Sequence, residues 1–383
     1  MHCNICHAAL GDPLYESTSD QSLTSLCELR PGRTRVWLCP SCGHLLSDEL
    51  QDVARYYETE YRILLDHDEE DQIYDTRGDR IVYRTEHQVD TLVTQLALPE
   101  GARLLDYGCA KASTPRMLLT RRPDLQVHLF DVSAMYQAHW DRFVPRERQA
   151  MHETPPDWQG RFDVVTSFFS LEHIPQPART LAHIAGLLGP QGVLYGIVPD
   201  TFGNIADFVV VDHVNHFTRP SLHRLLADAG FQEIVIDDRL HRGALVFRAG
   251  KTGRHTAAPE VAGTLAAAQD LARYWSAIGD RIRAAEAEAG DVPSAIYGSG
   301  FYGAFIASTL RQPDRLRCVL DRSPFRQGKT LFGTPIVAPQ ACDAAVKRMY
   351  VGLNPSIARQ AMAQVPELAG RELQLVFLDE AAA

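Results

Sequence analysis

Between residues 101 and 250, short apolar runs recur, and helical patterns separate them. The runs are ARLLDYG, LQVHLFDVS, FDVVTSFF, GVLYGIVP, EIVIDD and GALVFRAG. Strands that alternate with helices predict a mostly parallel, doubly wound sheet covered on both faces. Ahead of this region, LSDELQDVARYYETEYRILL and IVYRTEHQVDTLVTQLAL predict helices over residues 48–95. Behind it, KTGRHTA at 251–257 marks a break. The Ala-rich stretch that follows predicts a helical linker to about residue 290, packing through Leu265, Leu271, Trp275 and Ile282. A new strand, turn and helix begin at 293 (PSAIYGSGFYGAFIASTL), and RLRCVLDRS, RMYVGL and LQLVFLD extend them into a second, smaller α/β unit. The expected segments are therefore 1–47, 48–95, 96–250, 251–290 and 291–383.

A chain of 383 residues is too long for one ordinary core. Its 45% apolar and 22% charged residues are those of a soluble globular protein. The net charge is −10 and no basic stripe is visible, which argues against a nucleic-acid partner and for a small-molecule substrate. No apolar run is long enough to span a bilayer, and MHCNICHAAL lacks a signal region. The expectation is a cytoplasmic protein with no membrane partner.

Cysteine usage adds a chemistry. Of eight cysteines, Cys3, Cys6, Cys39 and Cys42 form two Cys-x-x-Cys pairs in a polar, turn-rich segment. Two such turns offer four thiolates to a tetrahedral Zn²⁺. A small segment with little core would draw its folding energy from the metal. Four thiolates leave no open coordination position, so the expected zinc is structural. His2, His7, His44 and Cys27 are alternative donors.

The strand that ends in Asp106 runs into Tyr107-Gly108-Cys109-Ala110-Lys111-Ala112 and then a helix. In a doubly wound sheet this turn must let a ligand approach the backbone. The next strand ends in Asp131, where a carboxylate accepts hydrogen bonds from ribose hydroxyls. A nicotinamide enzyme has the same skeleton. However, the order LLDYGCAKA, FDVVTSFFSLEHI, LLGPQGVLYGIVPD resembles the class I S-adenosylmethionine-dependent methyltransferases. That resemblance implies that Gly108 and Ala110 hold the cofactor's methionine part, that Asp131 holds its ribose and that Asp106 positions the loop. Phe168, Glu172 and His173 would line the cleft, and one of Phe168 and Phe169 is expected to pack into the core instead. The family's D-x-G-x-G-x-G has alanines at 110 and 112, a strain of about 1 kcal/mol or more if φ is positive there.

Further on lies Asp207-Phe208-Val209-Val210-Val211-Asp212-His213-Val214-Asn215-His216-Phe217-Thr218. Cysteine pairs, methyltransferase pattern and trailing nucleotide-type unit, in that order, resemble the zinc-containing sugar C-methyltransferases of deoxysugar pathways. Those enzymes methylate a nucleotide-linked keto-sugar and carry Tyr-x-Glu-His-x-x-Tyr-Phe at this place. The resemblance implies His213 as the enolising base, with Asp212 orienting it and His216 as the rival base. Val210 stands where the family has Tyr, which leaves transfer to a hydroxyl open. His241 or Arg242, in LHRGAL, would donate to the enolate.

In the trailing unit, Gly298-Ser299-Gly300-Phe301-Tyr302-Gly303 and Asp321 match a dinucleotide-type fingerprint. The resemblance assigns Gly298, Gly300, Tyr302 and Asp321 to the substrate's nucleotide, while NAD binding or a purely architectural role are the alternatives. The expected fold is thus α/β. It combines a doubly wound, Rossmann-like methyltransferase domain, an N-terminal zinc-binding module and a smaller C-terminal Rossmann-like domain.

Overall fold

The computed structural model describes residues 1–52, 55–57, 71–78 and 80–379. They sort into two compact units, one of residues 1–14 with 35–268, the other of residues 15–34 with 269–383.

In the first unit seven strands form one sheet: β1 (Arg103–Tyr107), β2 (Gln126–Asp131), β3 (Gln149–Met151), β4 (Phe162–Phe168), β5 (Leu188–Pro199), β6 (Glu233–Asp237) and β7 (Ala244–Gly250). Their spatial order is β3-β2-β1-β4-β5-β7-β6. The first five are mutually parallel, and β7 runs antiparallel to both of its neighbours. The parallel majority follows the alternation of strands with helices in the sequence. Side-chain alternation along each strand feeds two cores. Leu105, Val165 and Leu194 join Ile184, Leu187 and Leu225 on one face, from helices Pro177–Leu187 and Arg219–Asp228. Leu104, Val164 and Tyr195 join Leu92 and Leu118 on the other, from helices Arg84–Gln95 and Ser113–Arg121. The strand order reverses between β1 and β4, and a ligand crevice opens at such a reversal beyond the strands' carboxyl ends.

The cysteine turns are stitched to this unit rather than standing apart. Strand Leu45–Ser47 pairs antiparallel with both Arg35–Leu38 and Asn215–His216. Asn4 Nδ2 donates to Asn215 Oδ1 at 2.7 Å, and Asn215 Nδ2 donates to the carbonyls of Leu171 and Ile174 at 3.0 and 2.7 Å. Helix Arg219–Asp228 opens on a capping box between Thr218 and Ser221, with Pro220 in its first turn. Thr218 Oγ1 also donates to the Gly43 carbonyl at 3.1 Å.

In the second unit a parallel core of five strands runs Thr334–Val337, Leu316–Leu320, Ser294–Tyr297, Arg348–Val351 and Gln374–Val376, with Thr330–Leu331 antiparallel at its edge.

Three segments depart from expectation. Residues 1–47 do not form one module. The hairpin Gln21–Leu23/Leu29–Pro31 belongs to the second unit, where it covers helix Phe301–Thr309 and buries Leu23. Residues 73–83 form a hairpin, Ile73–Arg77 with Arg80–Tyr83, in place of the start of a helix. Six of its nine strand residues are β-branched or aromatic, and Gly78 turns the chain at φ 60°. Most of the helix expected after residue 48 lies outside the described residues. Among the described residues no helix is long and apolar enough to cross a membrane.

Close backbone approach explains one glycine of the trailing unit. A Cβ on Gly303 would lie 1.9 Å from the Gly298 carbonyl oxygen, whereas one on Gly300 would meet open space. Gly303→Ala is therefore expected to cost about 2 kcal/mol or more in urea unfolding, and Gly300→Ala well under 1. Equal losses would show that packing at Gly303 is not the constraint.

Candidate active site

The crevice between β1 and β4 holds a cavity of about 540 Å³. One wall is the turn after β1. Asp106, buried at the strand's end, sits in register with Thr166 of β4 and accepts from its hydroxyl at 2.7 Å. Burial pushes the Asp106 carboxyl up to about 7; the Thr166 bond opposes this and the charge of Asp131 adds to it. Gly108 and Cys109 donate their amides to the Phe130 carbonyl at 2.9 and 3.1 Å. Gly108 is left-handed (φ 76°), and a Cβ there would fall 2.2 Å from Ser170 Oγ. Ala110 and Ala112 are left-handed as well, at φ 44° and 59°, so the two alanines do carry the strain that negative φ would have spared them.

What holds the strained turn is visible. Asp131 accepts from the Ala110 amide at 2.8 Å with one oxygen and from the Ser133 amide at 3.0 Å with the other. Trp140 Nε1 donates to the Ala110 carbonyl at 2.7 Å. Burial raises the Asp131 carboxyl, and these amide bonds counter it. A carboxylate offers about four acceptor positions, so two hydroxyls can still be received. Helix Ser113–Arg121 begins directly after the turn, with Ser113 and Thr114 of its first turn on the cavity wall.

The opposite wall comes from the chain leaving β4. Phe168 and Phe169 both line the cavity, and Phe169 is left-handed at φ 50° with its amide on the Ile197 carbonyl at 2.8 Å. The Arg84 guanidinium lies 4.9 Å from the Phe169 ring centroid. His173 completes this wall with Tyr57, whose hydroxyl lies 2.8 Å from His173 Nδ1. Glu172 is buried, 1% exposed, and its Oε2 has no hydrogen-bond partner. Burial pushes its carboxyl up to about 8, against the charge of His213.

Next to His173 stands a buried charge cluster. The His213 and His173 rings meet edge to face with centroids 4.7 Å apart. The carboxylate that holds His213 is Asp207 and not Asp212: Nδ1 of His213 lies 2.6 Å from Asp207 Oδ1. Asp212 instead accepts from the Tyr56 hydroxyl at 3.3 Å, and its carbonyl lies 3.0 Å from His173 Nδ1. His216 is fully buried with both ring nitrogens engaged, Nδ1 with Asp207 at 3.2 Å and Nε2 with Ser47 Oγ at 2.7 Å. That occupancy removes it as a rival base. Burial works against charge on His213, but the Asp207 bond and charge outweigh it and push the imidazole up to about 9. Asp207 is held well below the usual carboxylate range by the two histidines, although burial works the other way. His173, by burial and by the charge of His213, is lowered to about 4.

His241 and Arg242 do not fit the donor role. The His241 Nδ1–H faces the Arg242 carbonyl at 3.1 Å, so its buried Nε2 carries a lone pair and has no partner. Burial, with His87 adding, lowers the ring to about 3, so at neutral pH it accepts and does not donate. Arg242 is exposed; its amide donates to the Tyr74 hydroxyl at 2.9 Å and its guanidinium stacks over the Tyr74 ring. In the trailing unit, Asp321 clasps its own loop: Oδ2 receives the amide and hydroxyl of Ser299 at 2.9 and 2.5 Å, and Oδ1 the Ser323 amide at 2.8 Å. Tyr302 is buried in its helix.

At the N-terminus, Cys3, Cys6, Cys39 and Cys42 bring four sulfurs within 4.8 Å of one another. Sγ of Cys3 lies 3.7 Å from that of Cys42, and Sγ of Cys6 lies 3.4 Å from that of Cys39. Tetrahedral zinc with bonds of about 2.3 Å sets its thiolates about 3.8 Å apart, so the donor set fits that ion.

Residues 81–235 match the model of a family described as a methyltransferase domain. A ubiquinone biosynthesis O-methyltransferase of Xanthomonas campestris pv. campestris (strain B100) is 30% identical over 113 residues, 28% of this chain and 47% of that protein. Its counterpart from Xanthomonas axonopodis pv. citri (strain 306) is 29% identical over 102 residues, 25% and 43% of the two chains. The chain thus spans about half the length of the curated relatives it matches. A solved S-adenosylmethionine-dependent methyltransferase from Mesorhizobium loti is similar over 43% of this chain and 97% of its own, at 16% identity and a TM-score of 0.35. Residues 81–235 thus carry a methyltransferase domain.

The His213–Asp207 pair has a pH signature. A histidine raised to about 9 contributes stability that is complete below its ordinary value of 6.5 and is lost as pH climbs through about 9. Asp207, lowered from its ordinary 3.8, contributes above that value and loses its contribution in acid. The pair's contribution to the unfolding free energy should therefore be greatest between about pH 4 and 6.5 and fall toward pH 9. Asp207→Asn should flatten that decline and return the His213 titration, read by NMR, toward or below 6.5. An unmoved His213 titration would refute the pairing.

Proposed function

We propose that this chain transfers the methyl group of S-adenosylmethionine to a small acceptor bound beside His173 and His213. The observation that carries the reading is the cavity itself. A left-handed turn clasped by Asp131 forms one wall, and the other includes His173, whose ring meets that of the buried, Asp207-bound His213. The residues fit the cofactor: Asp131 keeps acceptor positions for ribose hydroxyls, and the amides at the start of helix Ser113–Arg121 suit a carboxylate. When bound, the cofactor supplies an electrophilic methyl group that needs alignment more than activation.

The remaining work falls to the chain. Tyr57, Phe168 and Phe169 line the cavity and keep water from the transfer. Asp207 fixes the His213 tautomer, with the proton on Nδ1, so that Nε2 takes the acceptor's proton. Asp207 also stabilises the imidazolium that results, which makes His213 a stronger base than free histidine.

The finer reading takes a nucleotide-linked keto-sugar as the acceptor, methylated at carbon. Its support is the resemblance of the cysteine pairs, the Asp212–Phe217 segment and the trailing unit to the sugar C-methyltransferases. A nucleotide would approach the backbone at Gly300, where a Cβ would meet open space, while Asp321 and Tyr302 shape the loop. The four thiolates would hold a structural Zn²⁺. A second reading, transfer to a hydroxyl, is favoured by the O-methyltransferase names of the curated relatives.

Calorimetry should show S-adenosylhomocysteine binding one to one, weakened about tenfold or more in Asp131→Ala, with no response to NAD. Absence of binding would sink the reading. With a keto-sugar nucleotide in D₂O, deuterium should enter at the α-carbon without cofactor, the rate rising with pH toward about 9, and His213→Ala should abolish it. A rate flat above pH 5 would transfer the base's role to His173, whose imidazole is lowered to about 4. Inertness of the substrate's α-carbon alongside cofactor-dependent methylation would favour the hydroxyl. For the cysteines, one thiolate-bound zinc per chain is expected, lost with Cys39→Ser. A metal-free folded preparation would contradict that.

A further inference from the structure

Glu172, His173 and His213 each place one ligand atom within 4.8 Å of the others. Methyl transfer needs only one of the two histidines as a base, and it leaves Glu172 without a task. The local bonding around these residues has a particular form. His213 gives its Nδ1–H to the Asp207 carboxylate at 2.6 Å, and His173 Nδ1 lies 3.0 Å from the Asp212 carbonyl and 2.8 Å from the Tyr57 hydroxyl. With Nδ1 engaged in each ring, Nε2 is the nitrogen that carries the lone pair when the ring is neutral, and on His213 a cation would have to displace a proton there. A carboxylate or carbonyl behind each imidazole is the arrangement that orients metal-binding histidines. Independently, Glu172 Oε2 is buried, in a residue 1% exposed, with no donor to satisfy it. A buried carboxyl oxygen without a partner is costly, and a cation that displaces the carboxyl proton would satisfy it.

We propose that Glu172, His173 and His213 form a binding site for a divalent transition cation of the zinc type. Two imidazoles and one carboxylate leave the fourth coordination position open, unlike the four thiolates at the N-terminus. His173 belongs to the cavity wall, so the cation would border the space of the acceptor. Cation and proton compete for the same nitrogen of His213. The occupied site therefore takes the base out of service, and micromolar Zn²⁺ inhibits transfer. The site itself does not rest on the methyl-transfer reading, because binding is measured without turnover.

The test gives the full chain one equivalent of Zn²⁺, which the four thiolates take in preference to two imidazoles and a carboxylate, and then titrates Co²⁺. The expected result is one Co²⁺ per chain with weak visible bands of nitrogen and oxygen coordination. Affinity should fall at least tenfold in Glu172→Gln, which keeps the shape and removes the charge, and again in His173→Ala. Uptake of no Co²⁺, or bands of thiolate charge transfer alone, would overturn the proposal. Wild-type binding decides this even where a variant fails to fold. Unaltered Co²⁺ affinity in Glu172→Gln would overturn it too. Failure of S-adenosylhomocysteine to bind would leave this result standing, so the two readings fail separately.

Discussion

A buried anion, Asp207, organises the acceptor side of the candidate site. Its two oxygens hold His213, His216 and the Thr201 hydroxyl at 2.6, 3.2 and 2.8 Å. An isolated carboxylate could not persist there, because its desolvation would cost several kcal/mol. Three donors make the burial tolerable, and in return the carboxylate fixes which nitrogen of each imidazole carries the proton. His216 becomes a strut, tied on its far side to Ser47, while His213 keeps one nitrogen for chemistry. The same histidine–carboxylate arithmetic that stabilises the segment sets the proton affinity of its most interesting member.

The cysteine turns feed this arrangement. Ser47 and Asn4 reach His216 and Asn215 from the N-terminal segment, and Asn215 in turn clamps the carbonyls of Leu171 and Ile174 that flank Glu172 and His173. A metal holding Cys3, Cys6, Cys39 and Cys42 would thus be felt at the cavity wall through one asparagine and one strand pairing. That route gives a structural ion a bearing on the site without contact with the acceptor.

Across the crevice, strain is held by specific bonds. Three residues in the turn after β1 are left-handed and only one is glycine. Phe130, Asp131 and Trp140 each bond the turn's backbone, which is how alanines keep a conformation they would leave in isolation. Phe169 on the facing wall is strained in the same sense, so the cavity is bounded on both sides by backbone that its surroundings over-determine.

Much of this was legible in the chain. Apolar runs located β1, β2 and β4 to β7; for the parallel strands β1, β2, β4 and β5 the reason is that burial on both faces makes a strand read as a near-continuous apolar run. The Asp106–Ala112 turn and Asp131 stood out because strand-end acids and small residues have few other uses there. Paired Cys-x-x-Cys spacing announced the thiolate cluster. What the chain could not announce were contacts between distant segments. Asp207 rather than Asp212 holds His213 because a short helical turn over Ile205–Val209 folds the earlier carboxylate back, whereas sequence adjacency favoured the later one. The lone-pair nitrogen of His241, the engagement of both His216 nitrogens and the placement of Tyr57 on the wall depend likewise on hydrogen bonds closed across the fold. Patterning is local and periodic, so sequence alone determines strands, turns and donor types. Which carboxylate faces which imidazole depends on three-dimensional distances between remote residues, and only the tertiary structure decides that.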